Sequence, residues 1–83
     1  MDEILYLSLL YDFYGELLTE LQRTVFSMHR FEDMSLTEIG ERLGTSKQAV
    51  SDLLRRTEKK LAGYEDKLAL VKNHLANTTG INQ

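Results

Sequence analysis

Apolar side chains recur at intervals of three and four residues along most of the 83-residue chain, a spacing that predicts amphipathic helices. The first predicted helix begins near Asp2 or Glu3 and ends or kinks at Gly15. Its inward face consists of Leu7, Leu10, Tyr11, Tyr14 and Leu18. A second apolar row on the same helix consists of Leu5, Leu9 and Phe13. Because a small domain rarely buries both faces of one helix, this row predicts an interface with a partner or a second copy.

Three more helices are predicted from their caps and apolar stripes. Thr19-x-x-Gln22 and Ser35-x-x-Glu38 both fit the capping box, so the second and third helices are expected to begin there. The inward residues of these two helices are predicted to be Leu21, Val25, Met28 and Phe31, then Leu36, Ile39 and Leu43. Ser46 is expected to cap a fourth helix, whose inner residues are predicted to be Val50, Leu53, Thr57 and Leu61.

The C-terminal part of the chain has a heptad-like seam of about two repeats. Its members are Leu61, Tyr64, Leu68, Val71 and Leu75. The fourth helix either continues through this seam or breaks at Gly63, and the seam packs either on the first helix or across a dimer. Residues 77–83 are polar and aperiodic, which predicts a flexible tail. The chain is therefore predicted to be all-α, with one bundle of four to five helices over residues 1–76.

The segment from Leu36 to Arg55 fits a helix-turn-helix, predicted at about residues 35–60. Counted from Leu36, the fifth position must be small because the second helix crosses there, and Gly40 occupies it. The ninth position favours positive φ, and Gly44 occupies it. Apolar residues stand at the fourth, eighth, fifteenth and eighteenth positions, namely Ile39, Leu43, Val50 and Leu53. A plain helical hairpin is the structural alternative.

In a helix-turn-helix, the N-terminal residues of the second helix enter the major groove of DNA. Gln48 is suited to an adenine edge and Lys47 to guanine, while Arg55 and Arg56 lie further along and suit the phosphate backbone. The predicted nucleic-acid-binding residues are Thr45, Ser46, Lys47, Gln48, Ser51, Arg55, Arg56 and Lys59. Asp52 stands among them and brings a negative charge that repels phosphate. A solvated helix face is the alternative explanation of the basic run.

The net charge of −3 conceals an uneven distribution of charged side chains. Residues 42–60 contain six basic and two acidic side chains, a balance of +4, whereas residues 1–41 contain two basic and nine acidic, a balance of −7. The overall acidity therefore does not exclude nucleic acid, although it limits what one chain could bind. Useful affinity is expected to need a homodimer or a larger assembly. The predicted dimer or partner interface consists of Leu5, Leu9, Phe13, Tyr64, Leu68 and Val71.

Composition argues against catalysis and against membrane insertion. The chain has no Cys, its two histidines are isolated and its five glycines form no phosphate loop, so no enzyme activity, cofactor or metal site is expected. The apolar run from Ile4 to Tyr11 is far shorter than the roughly 20 residues of a membrane helix. Acidic residues precede it where a signal peptide would have basic ones. A soluble cytoplasmic protein is expected.

Residues 18–61 resemble the DNA-binding fourth domain of bacterial sigma factors, although the other sigma domains are lacking. The resemblance rests on Leu18-Thr19-Glu20-Leu21-Gln22 and on Ser35-Leu36-x-Glu38-Ile39-Gly40-x-x-Leu43-Gly44-x-Ser46. Nearly the whole chain resembles the YlxM family of Gram-positive bacteria. This second resemblance rests on Asp12-Phe13-Tyr14-Gly15-x-Leu17-Leu18-Thr19, Ser35-Leu36-x-Glu38-Ile39, Ser46-x-Gln48-Ala49-Val50 and Arg56-Thr57-Glu58-Lys59-x-Leu61-x-x-Tyr64-Glu65-x-Lys67-Leu68. Gly40 replaces the Ala that is more usual at its position.

The resemblance to the YlxM family implies an all-helical regulatory protein linked to the signal recognition particle pathway. It implies the particle's GTPase or its receptor as partners. Two functions are therefore expected as alternatives: a DNA- or RNA-binding regulator, or a non-catalytic module that binds particle components without contacting nucleic acid. Signal recognition particle RNA is a ligand that would join the two.

Overall fold

A computed structural model describes residues 2–79, which form five α-helices and no strand. The helices are α1 (Glu3–Tyr14), α2 (Glu20–Arg30), α3 (Leu36–Leu43), α4 (Lys47–Leu68) and α5 (Leu70–Thr79), with a short 3-10 helix at Gly15–Leu17 after α1. The all-α bundle expected from the sequence is confirmed. Within these residues, no helix combines the length and apolar character needed to cross a bilayer.

Local sequence signals explain where the helices begin. The Asp2 carboxylate accepts the Ile4 amide at the start of α1. Both predicted capping boxes are present: Thr19 Oγ1 accepts the Gln22 amide at 3.1 Å, and Ser35 Oγ accepts the Glu38 amide at 3.1 Å. These caps satisfy amides that have no partner inside the helix.

The core consists of two clusters that share α2 and α4. The first, called here the α1/α5 cluster, contains Leu7, Leu10, Tyr14, Leu18, Phe26, Leu61 and Val71. The second, the turn cluster, contains Val25, Met28, Ile39, Val50 and Leu54. Buried Thr57 lies between the clusters on α4 and donates its hydroxyl hydrogen to the Leu53 carbonyl at 2.8 Å. The 22-residue α4 therefore runs from one cluster into the other.

Several predicted core positions are wrong. On α4 the buried residue is Leu54, not the partly buried Leu53, because burial repeats at spacings of four, three and four from Val50 to Leu61. Leu21 on α2 and Phe31, the residue after its end, are exposed. Phe26, which the stripe omitted, is fully buried and stacks on Tyr11 with ring centroids 5.0 Å apart. Helix α2 contacts two clusters, so its buried surface is wider than one stripe. Leu43, at the end of α3, is also 36% exposed.

The break in the C-terminal seam lies at Ala69 and not at Gly63, which is inside α4. Leu61 and Val71 are buried in the α1/α5 cluster, and Tyr64 packs against it. Of the two packing alternatives for the seam, the structure has the one within a single chain. Helix α5 continues to Thr79, so residues 77–79 of the predicted tail are helical, and residues 80–83 lie outside the described residues.

Candidate nucleic-acid interface

The turn between α3 and α4 has the close packing that a helix-turn-helix requires. A Cβ atom added to the buried Gly40 would lie 2.7 Å from the Thr45 carbonyl oxygen and 3.3 Å from the Ser46 carbonyl carbon. Gly44 has φ = +73°, and the Thr45 amide donates to the Gly40 carbonyl at 2.8 Å. Only glycine fits the first position without displacing the turn, and glycine is favoured at the second.

The predicted contact residues lie mainly on the exposed side of α4 and the turn before it. Gln48, Asp52, Arg55 and Lys59 form a row with spacings of four, three and four. This row, called here the reading row, is offset by two positions from the buried row of Val50, Leu54, Thr57 and Leu61. Two positions on a helix correspond to a rotation of about 200°, so the reading row faces away from the core. Thr45, Ser46, Lys47 and Arg56 are also exposed, and Ser51 is half-buried.

Five of the eight predicted contact residues lie off this row, and three of them have defined surroundings. Ser51 is on one flank of α4, where it and Arg55 line a shallow cleft beside His29. Arg56 is on the other flank and lines an apolar cleft with Leu21, Leu43 and Leu53. Ser46 caps α4, since its Oγ accepts the Ala49 amide at 3.1 Å, and its hydroxyl hydrogen can still donate to phosphate. The predicted set therefore spans three sides of α4, with Gln48, Arg55 and Lys59 at the centre.

Asp52 pairs with two of the other three members of the reading row. Its Oδ1 accepts from Gln48 Nε2 at 3.2 Å and lies 3.0 Å from Arg55 Nη2. The Asp52 carboxylate thus binds the Gln48 amide that is suited to a base edge, and it partly neutralises the Arg55 guanidinium that is suited to phosphate. Lys59, one turn further along, is the exposed cation of the row that lies furthest from Asp52.

The six predicted dimer or partner residues do not form one surface. Leu5, Phe13 and Leu68 are 52%, 39% and 51% exposed, respectively. Leu9 and Tyr64 are partly buried against the α1/α5 cluster. Val71 is 0% exposed and belongs to the core of the single chain, so it contributes nothing to this surface. Its side chain fills the core because α5 folds back on α1.

Sequence reasoning missed the polar junction that folds α5 back. The buried Tyr14 hydroxyl donates to Glu65 Oε1 at 2.6 Å and accepts the Leu70 amide at 3.0 Å. The two Glu65 oxygens accept the amides of Val71 at 3.0 Å and Lys72 at 2.9 Å. A carboxylate from the end of α4 therefore caps the start of α5. No local pattern signals this site, because Tyr14 and Glu65 are 51 positions apart.

These contacts perturb both titrating groups. Burial raises the pKa of the Tyr14 hydroxyl, and its hydrogen bond to Glu65 raises that pKa further. Burial alone would also raise the pKa of Glu65. The hydrogen bonds from the Tyr14 hydroxyl and from the Val71 and Lys72 amides outweigh it, so the pKa of Glu65 lies below its ordinary value. The junction thus favours an ionised carboxylate beside a neutral phenol.

Both histidines take part in packing contacts. His29 Nδ1 lies 3.0 Å from the Met34 carbonyl oxygen, and the His74 ring packs edge-on against Phe13 with centroids 5.4 Å apart. Among residues 2–79, no group of three or more acidic, His or Cys side chains is placed to hold a metal ion.

Comparison with known proteins agrees with the turn geometry. The family described as "Putative helix-turn-helix protein, YlxM / p13 like" matches residues 1–83. A UPF0122 protein of Caldanaerobacter subterraneus subsp. tengcongensis is 53% identical over 88% of this chain and 62% of its own length. One from Clostridium kluyveri is 49% identical over 98% of this chain and 76% of its own length. The chain thus spans about three fifths of the length of the first relative. It belongs to the UPF0122 family of YlxM/p13-like helix-turn-helix proteins.

Proposed function

We propose that the protein is a nucleic-acid-binding regulator in which α4 is the recognition helix. The observation that carries this proposal is the reading row, which faces away from the core directly after the Gly40–Gly44 turn. The N-terminal residues of such a helix enter the major groove, where a Gln amide suits adenine and a Lys ammonium suits guanine. Arg55, Arg56 and Lys59, further along, are suited to phosphate. The resemblance of residues 18–61 to sigma-factor domain four supports this orientation.

The positive charge of the helix-turn-helix in one chain is small for binding nucleic acid tightly. We therefore propose that the binding species is a homodimer. Three or four phosphate contacts per chain correspond to a slope of about −3 in log affinity against log salt, and a dimer doubles it to about −6. Leu5 and Phe13 on the outer side of α1 are exposed contacts for pairing, and Leu68 is exposed at the end of α4. Sedimentation that shows only monomer at tens of micromolar would contradict this part of the proposal.

A charge-matched pair of variants tests the recognition helix. Lys59 and Lys67 are both exposed lysines of α4, but only Lys59 belongs to the reading row. Lys59→Ala is expected to weaken binding to a nucleic-acid pool and to reduce the salt slope by about 1 per chain, whereas Lys67→Ala leaves both unchanged. Equal losses in the two variants would show that binding follows overall charge and would remove the assignment of α4.

A broader variant measures the whole surface. Replacing Lys47, Gln48, Arg55 and Arg56 together by Ala is expected to abolish binding while helicity is retained. All four side chains are exposed, so their loss leaves both core clusters intact. Running duplex DNA and signal recognition particle RNA side by side assigns the nucleic acid. Retention of parental affinity for both would show that the assignment of α4 as the recognition helix is wrong.

The second candidate is a non-catalytic interaction module of the signal recognition particle pathway, acting in the cytoplasm. The specific observation in its favour is the exposed apolar surface of α1, where Ile4, Leu5 and Phe13 are exposed and acidic Asp12 lies on the same helix. The expected partner is the particle's GTPase or its receptor. Leu5→Glu and Phe13→Glu should each abolish capture of that partner, whereas Lys59→Ala should not. The opposite pattern would favour the recognition helix.

A further inference from the structure

The connection between α4 and α5 is a single residue, Ala69, and polar contacts from Tyr14 and Glu65 hold it. We propose that this connection is a hinge through which two copies of the chain exchange α5, so that each α5 packs on the α1 and α4 of the other copy. The inference rests on the homodimer proposed above and names exchanged α5, rather than the outer side of α1, as its interface. It does not depend on whether the chains bind nucleic acid.

The backbone of Ala69 is the first argument. It has φ = +52° and ψ = +32°, a left-handed conformation that residues other than Gly, Asn and Asp adopt at a penalty. Asp33 is the other non-glycine residue with positive φ among residues 2–79, and it belongs to a residue type that tolerates it. Ala is the strongest helix former, so at Ala69 a helical conformation is locally favoured over the observed one.

If Ala69 becomes helical, α4 and α5 join into one helix over residues 47–79, about 50 Å long. The amides of Leu70, Val71 and Lys72 then bond to carbonyls four residues earlier and no longer need Tyr14 or Glu65. Both arrangements therefore satisfy the same backbone groups. The folded-back and continuous arrangements differ in the direction of α5. Ala69 therefore has the property of a hinge with two discrete states.

The apolar seam is the second argument, and it indicates that a second copy of the chain fills the groove that α5 leaves. With α5 folded back, Leu68 is 51% exposed and lies outside both core clusters. In a continuous helix it falls in line with Tyr64 and Val71, at spacings of four and three, and completes the row that begins at Leu61. A straight helix also removes Val71 from its own α1. The vacated groove is shaped for α5, so a second copy is the partner that refills it with the same apolar contacts.

Opposing substitutions test the hinge by analytical ultracentrifugation without nucleic acid. Glu65→Ala and Tyr14→Phe remove the contacts of the folded-back state and are expected to raise the dimer fraction. Ala69→Gly removes the penalty of the left-handed conformation and weakens a continuous helix, which together favour the folded-back state about 30-fold per chain. Because both chains must open to pair, the dimer association constant is expected to fall about a thousandfold. Adding Ala69→Gly to Glu65→Ala is expected to restore the monomer.

Cross-linking distinguishes exchange from side-by-side pairing. The chain has no native Cys, and the rings of Phe13 and His74 lie 5.4 Å apart in one chain. A Phe13→Cys chain mixed with a His74→Cys chain should form a cross-chain link with a short bis-maleimide, and Ala69→Gly in both chains should suppress it.

Two results would overturn the proposal. One is a link yield that Ala69→Gly leaves unchanged, which identifies pairing through the outer side of α1. The other is a monomer in both folded variants, Glu65→Ala and Tyr14→Phe, at tens of micromolar. Should Glu65→Ala fail to fold, the conservative Tyr14→Phe variant alone decides, because it keeps the buried ring.

Discussion

Replacing Gly40 by Ala perturbs the contact on which the helix-turn-helix depends. The added Cβ would lie 2.7 Å from the Thr45 carbonyl oxygen, well inside van der Waals contact. The obstacle is backbone, and it cannot rotate away as a side-chain tip could. The Thr45 amide also donates to the Gly40 carbonyl at 2.8 Å, so displacing the turn from the added Cβ stretches this hydrogen bond.

Two opposing effects determine the sign of the change. Ala is favoured over Gly inside a helix by about 1 kcal/mol. Overpacking against an immovable neighbour costs about 1–3 kcal/mol, and a stretched hydrogen bond at the turn adds about 1 kcal/mol. We therefore expect Gly40→Ala to lower the free energy of unfolding by about 1–3 kcal/mol. For a domain of this size, that lowers Tm by roughly 4–24 °C.

Gly63→Ala is the matched control, because Gly63 also lies inside a helix but has no atom within 4 Å of an added Cβ. It should gain about 0.5–1 kcal/mol from helix propensity alone. Urea and thermal unfolding, followed by far-UV circular dichroism, measure both variants. If Gly40→Ala stabilises the protein as much as Gly63→Ala does, the close contact between α3 and the turn does not exist.

Three further predictions concern single polar groups. Asp52→Asn should strengthen nucleic-acid binding several-fold in titrations at fixed salt, because it releases Arg55 from a carboxylate; weaker binding would assign Asp52 a direct contact. Folding lowers the pKa of Glu65, so the ionised carboxylate stabilises the folded protein. This contribution to the free energy of unfolding is complete above about pH 4.3, the ordinary pKa of Glu, and disappears as pH falls through the lowered pKa. The urea midpoints of wild type and Glu65→Gln should therefore converge in acid. Thr57→Val should raise stability by about 0.5–1 kcal/mol in urea unfolding, because the hydroxyl bonds only within its own helix.

Local signals predicted the helix boundaries correctly where the chemistry involves neighbouring residues. The capping boxes at Thr19 and Ser35 and the left-handed Gly44 each depend on residues within four positions. Leu53 and Leu54 show the opposite case. Both are leucines, so the pattern cannot choose between them, and the geometry of α4 against two clusters decides.

The unpredicted features depend on residues far apart in the sequence. An uninterrupted heptad pattern across residues 61–75 favours a continuous helix, and nothing near Ala69 signals a break. The break depends on Tyr14 of α1, whose hydroxyl bonds both Glu65 and the Leu70 amide. Phe26 was missed for a related reason, since it contacts Tyr11 and Phe31 on the side of α2 away from the turn cluster.

The length of α4 has a mechanical consequence. From Leu68, beside the α5 connection, to Gln48, in its first turn, the helix spans about 30 Å. If α4 tilts by about 5° about its Leu68 end, the Gln48 side chain moves by about 3 Å. This displacement is several times the tolerance of a hydrogen bond to a base edge. Helix α4 is packed into both core clusters, so its direction depends on the α1/α5 cluster as well as on the turn cluster. We expect substitutions in the α1/α5 cluster to redirect α4 toward different base pairs even when the turn itself is unchanged.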